Sequence, residues 1–152
     1  ENGDLENGDL ENGDLENGHL EKIHNHCGVY YARKCYKLYH YRKNFCNAEL
    51  FCKHYGGHLA TIQNAYLNRK LAKFTKCNGI SYVWIGLLKP CIHCNADFEW
   101  TWVNGHSVYR NWLHGYPDKA SYTSCCAFMH KYYHYKWIPL VCSYALPFWC
   151  VN

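Results

Sequence analysis

The stretch GGHLA at residues 56–60 and the stretch WIGL at residues 84–87 decide the fold of this chain of 152 residues. Before the first stretch, Phe45, Ala48 and Cys52 follow the spacing of one helix face. Glycine commonly ends a helix, so we expect a first helix that stops at the glycine pair. The WIGL stretch continues an apolar run that is typical of a buried strand.

A second helix is predicted further along the chain, with Asn64 as its N-cap. Its inner face would carry Leu67, Leu71 and Phe74, which recur at helical spacing. Residues 100–105 read WTWVNG and predict a short strand that runs into a turn. The remaining landmarks are NW at 111–112, GYPD at 115–118, Cys142, and PFWC at 147–150.

This ordered set of landmarks resembles the C-type lectin-like domain over about residues 27–150. The resemblance implies an α+β fold with two helices flanking two small antiparallel sheets, a long irregular loop on top, and disulfides that staple the chain. It also implies pairings, namely Cys52 with Cys150, Cys27 with Cys35, and Cys142 with Cys125 or Cys126.

The eleven cysteines favour an oxidising, extracellular setting, so we expect a secreted protein. The sequence begins without Met or an apolar leader, and we expect a mature product or a fragment. Because eleven is odd, at least one thiol is free or joins another chain, and we expect it within the adjacent pair Cys125–Cys126. The pairing of the remaining cysteines stays open: Cys46, Cys77, Cys91 and Cys94.

Residues 1–20 repeat the pentad ENGDL, with His19 replacing the last Asp. A period of five places no leucine stripe on a helix, and the pentad resembles pentapeptide-repeat proteins, which coil into a β-solenoid. Four pentads would make a single coil, whereas repeat units need stacked neighbours, so a flexible acidic spacer is the alternative. We divide the chain into this tail and a C-type lectin-like domain at residues 21–152.

Charge is divided between the same two parts. The tail holds seven acids and no Lys or Arg, while the domain holds all 16 bases and the other five acids. A basic domain suits an acidic partner, such as a sulfated or carboxylated glycan, a phosphate or an acidic peptide. A basic surface that only aids solubility is the other interpretation.

Sugar-binding members of the resembled family hold calcium through a Glu-Pro-Asn or Gln-Pro-Asp triplet and a Trp-Asn-Asp triplet. Here the corresponding stretches are Tyr116-Pro117-Asp118 and Trp137-Ile138-Pro139. Calcium needs six to eight oxygen ligands, and the Tyr, Ile and Pro replacements supply no carboxylate or amide oxygen. We therefore expect no calcium-dependent sugar site, no metal and no cofactor. Two His- and Cys-containing stretches, 24–27 and 91–94, have zinc-compatible spacing, but an oxidising setting favours disulfides there.

The stretch HKYYHYKW at residues 130–137 carries rings and cations together, which are groups that bind sugars or proteins. The alternative is a β-hairpin whose alternate side chains fill the core. Together with the loop near Pro117, the candidate ligand-binding residues are Tyr116, Asp118, Lys131, Tyr132, Tyr133, Tyr135, Lys136 and Trp137.

The first functional hypothesis is a secreted, non-enzymatic module that binds a protein or an acidic glycan without calcium. The alternative is a structural subunit that assembles with itself into an extracellular polymer or matrix through the tail and intermolecular contacts. A third hypothesis, a calcium-dependent carbohydrate-binding lectin, is disfavoured by the missing ligands. We expect no catalytic residues, no nucleic-acid partner and no membrane span.

Overall fold

A computed structural model of the protein describes residues 27–91, 100–118 and 122–152. The predicted repeat tail and its boundary lie outside these ranges and stay predictions. In chain order, the described elements are β1 (Val29–Tyr31), β2 (Lys34–Lys43), α1 (Phe45–His54), β3 (His58–Leu59), α2 (Ala65–Cys77), β4 (Tyr82–Leu88), β5 (Thr101–Trp102), β6 (Cys126–His130), a 3-10 turn (Lys131–Tyr133), β7 (Lys136–Leu140) and β8 (Leu146–Val151).

Helix α1 buries the face that the sequence predicts, and it begins after a cap that the sequence analysis did not identify. The side chain of Asn44 accepts a hydrogen bond from the backbone N–H of Asn47 at 2.8 Å, which satisfies one free donor of the first turn. Its buried residues are Phe45, Ala48 and Cys52, the three predicted from their spacing. This prediction is confirmed.

Helix α2 begins at the predicted cap, where the Asn64 side chain accepts from the backbone N–H of Leu67 at 2.9 Å. Leu67 and Leu71 are fully buried. Phe74, which we also placed inside, is only partly buried, and its ring lies 5.6 Å from that of Trp149. The inner face also holds two polar residues that hydrophobic periodicity does not reveal, Asn68 and Thr75.

The strands form two antiparallel groups that meet at one parallel pair. One group is β1-β2-β8, with β3 on β8, and the other is β4-β6-β7, with β5 on β4. The groups join where Trp84 of β4 pairs with Phe148 of β8. The α+β architecture is confirmed, and the two expected sheets are continuous through this pair.

Hydrophobic residues on the two faces of the sheet form separate cores. The core beneath α2 includes Leu67, Leu71, Val83, Trp137 and Trp149. The core beneath α1 includes Phe45, Ala48, Trp84, Phe128 and Phe148. Neighbouring residues of β4, such as Val83 and Trp84, enter different cores because side chains alternate along a strand.

Four disulfides connect the described residues: Cys27–Cys35, Cys52–Cys150, Cys91–Cys125 and Cys126–Cys142. Of the two possible disulfide partners of Cys142, Cys125 and Cys126, the structure therefore has Cys126. The expectation that the adjacent pair supplies the odd cysteine is wrong, because both of its members are bonded. In the part that the structure describes, the free thiols are those of Cys46 and Cys77, and both are exposed.

The long loop between β5 and β6 is held by its own aromatic packing. The rings of Trp102 and Tyr109 each lie 5.5 Å from the ring of Trp137, and Trp112 lies 4.8 Å from Trp100. These rings therefore form core beneath the loop. None of the helices within the described ranges is long and apolar enough to cross a membrane.

Candidate functional site

The 3-10 turn between β6 and β7 carries three of the eight predicted ligand-binding residues, Lys131, Tyr132 and Tyr133. His130 caps it, because its Nδ1 accepts a hydrogen bond from the backbone N–H of Tyr132 at 3.1 Å. His134 and Tyr135 follow with φ of 54° and 59°, the left-handed region that non-glycine residues seldom occupy. The turn leaves Tyr132 74% exposed and Tyr133 44% exposed.

Tyr135 and Trp137 are buried, so neither presents its ring for binding, and our assignment of them as ligand-binding residues is wrong. Tyr135 is 5% exposed, and its hydroxyl donates a hydrogen bond to the carbonyl of Ile80 at 2.9 Å. Burial accordingly raises the pKa of the Tyr135 phenol. Trp137 is fully buried, and its indole Nε1 donates to Oδ1 of Asn68. These two side chains fill the core, as the alternative interpretation of this stretch as a β-hairpin predicts.

Four rings gather beside the turn, and we call them the aromatic platform: Tyr82, His130, Tyr132 and Tyr133. The His130 ring is central, with ring centroids 4.8 Å from Tyr82, 5.4 Å from Tyr132 and 4.9 Å from Tyr133. The three tyrosines are exposed. Tyr82 could not be predicted from the sequence, because only the pairing of β4 with β6 places it opposite His130.

The His130 ring at the centre of the platform favours its neutral form, and a lysine borders the platform. Burial lowers the pKa of His130, and its Nδ1 can accept from Tyr132 only when that nitrogen carries no proton. Lys136 pairs with His130 across β6 and β7, so its exposed side chain starts from the same face of the sheet. Aromatic faces and a cation therefore adjoin each other.

A basic groove lies on the other side of the turn, between it and α2. It has a volume of about 460 Å³ and is lined by Ala72, Lys73, Lys76, Lys131, His134 and Tyr135. No carboxylate is among these lining residues. Lys131 therefore lines the basic groove, with two α2 lysines that the sequence analysis did not single out.

Tyr116 and Asp118 lie apart from the turn in sequence, in the loop beside β7. The backbone N–H of Leu113 donates to the carbonyl of Trp137 at 2.9 Å, and that of Tyr116 donates to Leu113 at 3.0 Å. The Tyr116–Pro117 peptide is cis. Across the described ranges, no ring contact joins Tyr116 to the aromatic platform, so the structure does not unite all the predicted residues.

The residues near Pro117 and in β7 do not fit a calcium ion. Pro139 is buried, Ile138 packs into the core beneath α1, and neither has a side-chain oxygen. Asp118 is the one carboxylate residue between residues 100 and 152 of the sequence. Among described residues, no three His, Cys, Asp or Glu side chains form a metal-holding group. Cys27 and Cys91, from the zinc-like stretches, are in disulfides.

A second surface cluster, which we call the α1 patch, consists of four aromatic residues and the leucine that precedes Phe51 in α1: Tyr39, Tyr41, Leu50, Phe51 and Tyr55. Phe51 is at its centre, with its ring 4.8 Å from Tyr39, 5.7 Å from Tyr41 and 4.9 Å from Tyr55. Tyr41, Leu50 and Tyr55 are exposed. A patch of this kind is typical of a surface that contacts another molecule.

The family model of the lectin C-type domain matches residues 41–152 of this chain. Snaclec 3 from Sistrurus catenatus edwardsii is 31% identical over 126 residues, covering 79% of this chain and 78% of the relative. Regenerating islet-derived protein 3-beta from Mus musculus is also 31% identical over 126 residues, covering 79% of this chain and 71% of the relative.

Solved structures resemble the chain at the level of the whole fold. Human lithostathine has a TM-score of 0.71 at 25% identity, covering 81% of this chain and 85% of its own. A calcium-independent type II antifreeze protein has a TM-score of 0.68 at 25% identity, covering 82% of this chain and 89% of its own.

Proposed function

Because the chain belongs to the C-type lectin domain family, we propose that it is a non-enzymatic extracellular recognition module that binds its partner without calcium. Its partner would be a protein or an acidic glycan. Four disulfides support the extracellular setting, since such bonds persist in oxidising compartments. The family is generally non-enzymatic, which supports a binding role.

The observation that carries this proposal is the position of the turn between the aromatic platform and the basic groove. Exposed tyrosine rings offer flat apolar faces with a polar tip, which suit sugar rings and protein side chains. Lysines beside them attract acidic groups and orient the partner. One ligand can therefore contact Tyr132 and Tyr133 with its apolar part and Lys131 with its charges.

Two observations support binding without calcium. The side chains at 116, 138 and 139 lack the carboxylate and amide oxygens that calcium takes from proteins. In addition, one structural neighbour with this fold is described as a calcium-independent antifreeze protein.

The tyrosines of the platform give the first test. A heparin octasaccharide, as an acidic glycan probe, would be titrated calorimetrically into the wild type and into the Tyr132→Ser/Tyr133→Ser variant. Losing two exposed rings should weaken binding by roughly tenfold, as for a modest interface hot spot. Tyr144→Ser is the matched control, because Tyr144 has an exposure between those of Tyr132 and Tyr133 but lies outside the platform. Equal affinity of all three proteins would contradict the proposed role of the platform.

A second candidate function, self-assembly into a polymer, is favoured by the exposed thiols of Cys46 and Cys77 and by the α1 patch. The opposite charges of residues 1–20 and the domain add to it. Light scattering of the native protein would test it, with and without reductant. A mass far above 18.0 kDa that falls in reductant and in the Cys46→Ser/Cys77→Ser variant would support a disulfide-linked polymer. A monomer under both conditions would exclude it.

A further inference from the structure

Helix α2 presents a stripe of positive charge. Its 13 residues include four bases and no acid. At about 100° per residue, Arg69, Lys73 and Lys76 fall within about 60° of one another around the helix axis. Lys70 is turned further round, and its Nζ lies 5.3 Å from the ring centroid of Tyr66. The first three bases therefore share a face that Lys70 does not.

This stripe continues across the basic groove onto the turn. Lys73 and Lys76 line the basic groove together with Lys131 and His134. At the other end, Arg69 lies one helical turn before Lys73 and extends the stripe along α2. We call these five residues the basic track: Arg69, Lys73, Lys76, Lys131 and His134. Its helical part alone extends about 10 Å at 1.5 Å per residue.

The described carboxylates do not line the groove through which this track runs. Glu49 accepts from the backbone N–H of Leu59 at 2.8 Å, and its other oxygen lies 2.9 Å from Nδ1 of His58. Asp118 lies in the loop after Pro117 and is not among the residues that line the basic groove. The groove therefore keeps the positive charge of its lysines, within the part of the chain that the structure describes.

We propose that the basic track binds a linear sulfated glycan, with sulfate esters contacting Lys73, Lys76 and Lys131. The charges are spread along a line, which matches a chain of repeated anions better than a single compact anion. Each ammonium group has three donors, and each sulfate ester has several acceptor oxygens, so one sulfate can bridge two lysines. This inference rests on the proposed function, because sugar rings of the same chain would lie against the aromatic platform.

The test uses a heparin octasaccharide and the same octasaccharide after chemical desulfation, titrated into the full chain. We expect Lys73→Ala/Lys76→Ala to weaken binding at least tenfold and to lower the salt dependence of binding, because two ionic contacts are lost. Lys70→Ala is the matched control and should stay within about twofold, since it removes the same charge from another face of the same helix. Alanine favours helix formation, so these variants should fold. The desulfated probe should not bind measurably.

Different outcomes separate this inference from the proposed function. Wild-type affinity in Lys73→Ala/Lys76→Ala, with weaker binding in Tyr132→Ser/Tyr133→Ser, overturns the track and leaves the proposed function standing. The reverse result supports the track and removes the platform from the proposed function. Poly-glutamate that competes as well as the octasaccharide overturns the assignment to sulfate, as does equal binding of the desulfated probe.

Discussion

The side-chain oxygen Oδ1 of Asn68 accepts a hydrogen bond from the indole Nε1 of Trp137 at 2.8 Å, and both side chains are buried. The bond joins α2 to β7. A second bond of the same kind lies about two turns further along α2, where Nε1 of Trp149 donates to Oγ1 of Thr75 at 2.9 Å. Two indoles therefore hold α2 against the sheet, and this fixes the distance between the walls of the basic groove.

The first prediction concerns the bond between Asn68 and Trp137. Asn68→Ala leaves a buried indole N–H without a partner, which should lower the free energy of unfolding by about 1–3 kcal/mol. In a double-mutant cycle with Trp137→Phe, we expect a coupling energy of about 1 kcal/mol, measured by urea unfolding.

The control for this cycle combines Asn68→Ala with Trp149→Phe, which share no hydrogen bond. Their effects should add to within about 0.5 kcal/mol. Additive effects in the Trp137 cycle as well would show that the buried bond does not hold α2 in place.

The second prediction concerns the close approach of β4 to β3. A Cβ added at Gly86 would lie 2.6 Å from the carbonyl oxygen of Leu59, and backbone cannot move as a side chain can. Gly86→Ala should therefore lower the free energy of unfolding by about 2 kcal/mol or more. Gly79→Ala is the comparison, because a Cβ there meets open space and only the φ of 70° is unfavourable.

Gly79→Ala should lower the free energy of unfolding by about 1 kcal/mol, because alanine is strained in the left-handed conformation. Thermal or urea unfolding would measure both variants. A Gly86→Ala protein as stable as Gly79→Ala would mean that β3 and β4 are further apart than the structure places them.

The third prediction concerns pH. Burial lowers the pKa of His130 in the folded protein, so the unfolded chain binds the proton more readily. Stability contributed by the neutral ring is therefore fully present above the unfolded pKa of about 6.5 and is lost as the pH falls below it. The platform tyrosines, Phe128 and Lys136 are the groups that surround this ring.

His130→Asn keeps an acceptor for the backbone N–H of Tyr132 but does not titrate. Between about pH 7.5 and 5, the melting temperature of this variant should fall less than that of the wild type. Because the other histidines are common to both proteins, the difference between the two profiles reports His130. Parallel profiles would show that protonation of this ring does not destabilise the fold.

Local features of the fold could be read from the sequence because their causes are local. Asn44 was not predicted, but the buried face of α1 and the Asn64 cap follow from periodicity and cap chemistry. The burial of Tyr135 could not be predicted from the alternation of side chains alone. Two features interrupt the period of two, namely the 3-10 turn and the positive φ of His134 and Tyr135 after it. Lys131, Tyr132 and Tyr133 are therefore all exposed.

The composition of the candidate site depends on contacts between distant parts of the chain. Tyr82 meets His130 through strand register, and Lys73 faces Lys131 because two indoles hold α2 in place. Neither relation leaves a pattern in the sequence. The partner of Cys125 was undetermined for the same reason, since Cys91 is 34 residues away across the long loop.

The central claim is that this member of the C-type lectin family recognises its partner without calcium. Calorimetric titration of the heparin octasaccharide in EDTA, repeated with excess calcium, tests it most directly. We predict the same dissociation constant under both conditions, because the side chains near Pro117 and in β7 do not fit the ion. Binding that appears only when calcium is present would contradict the account.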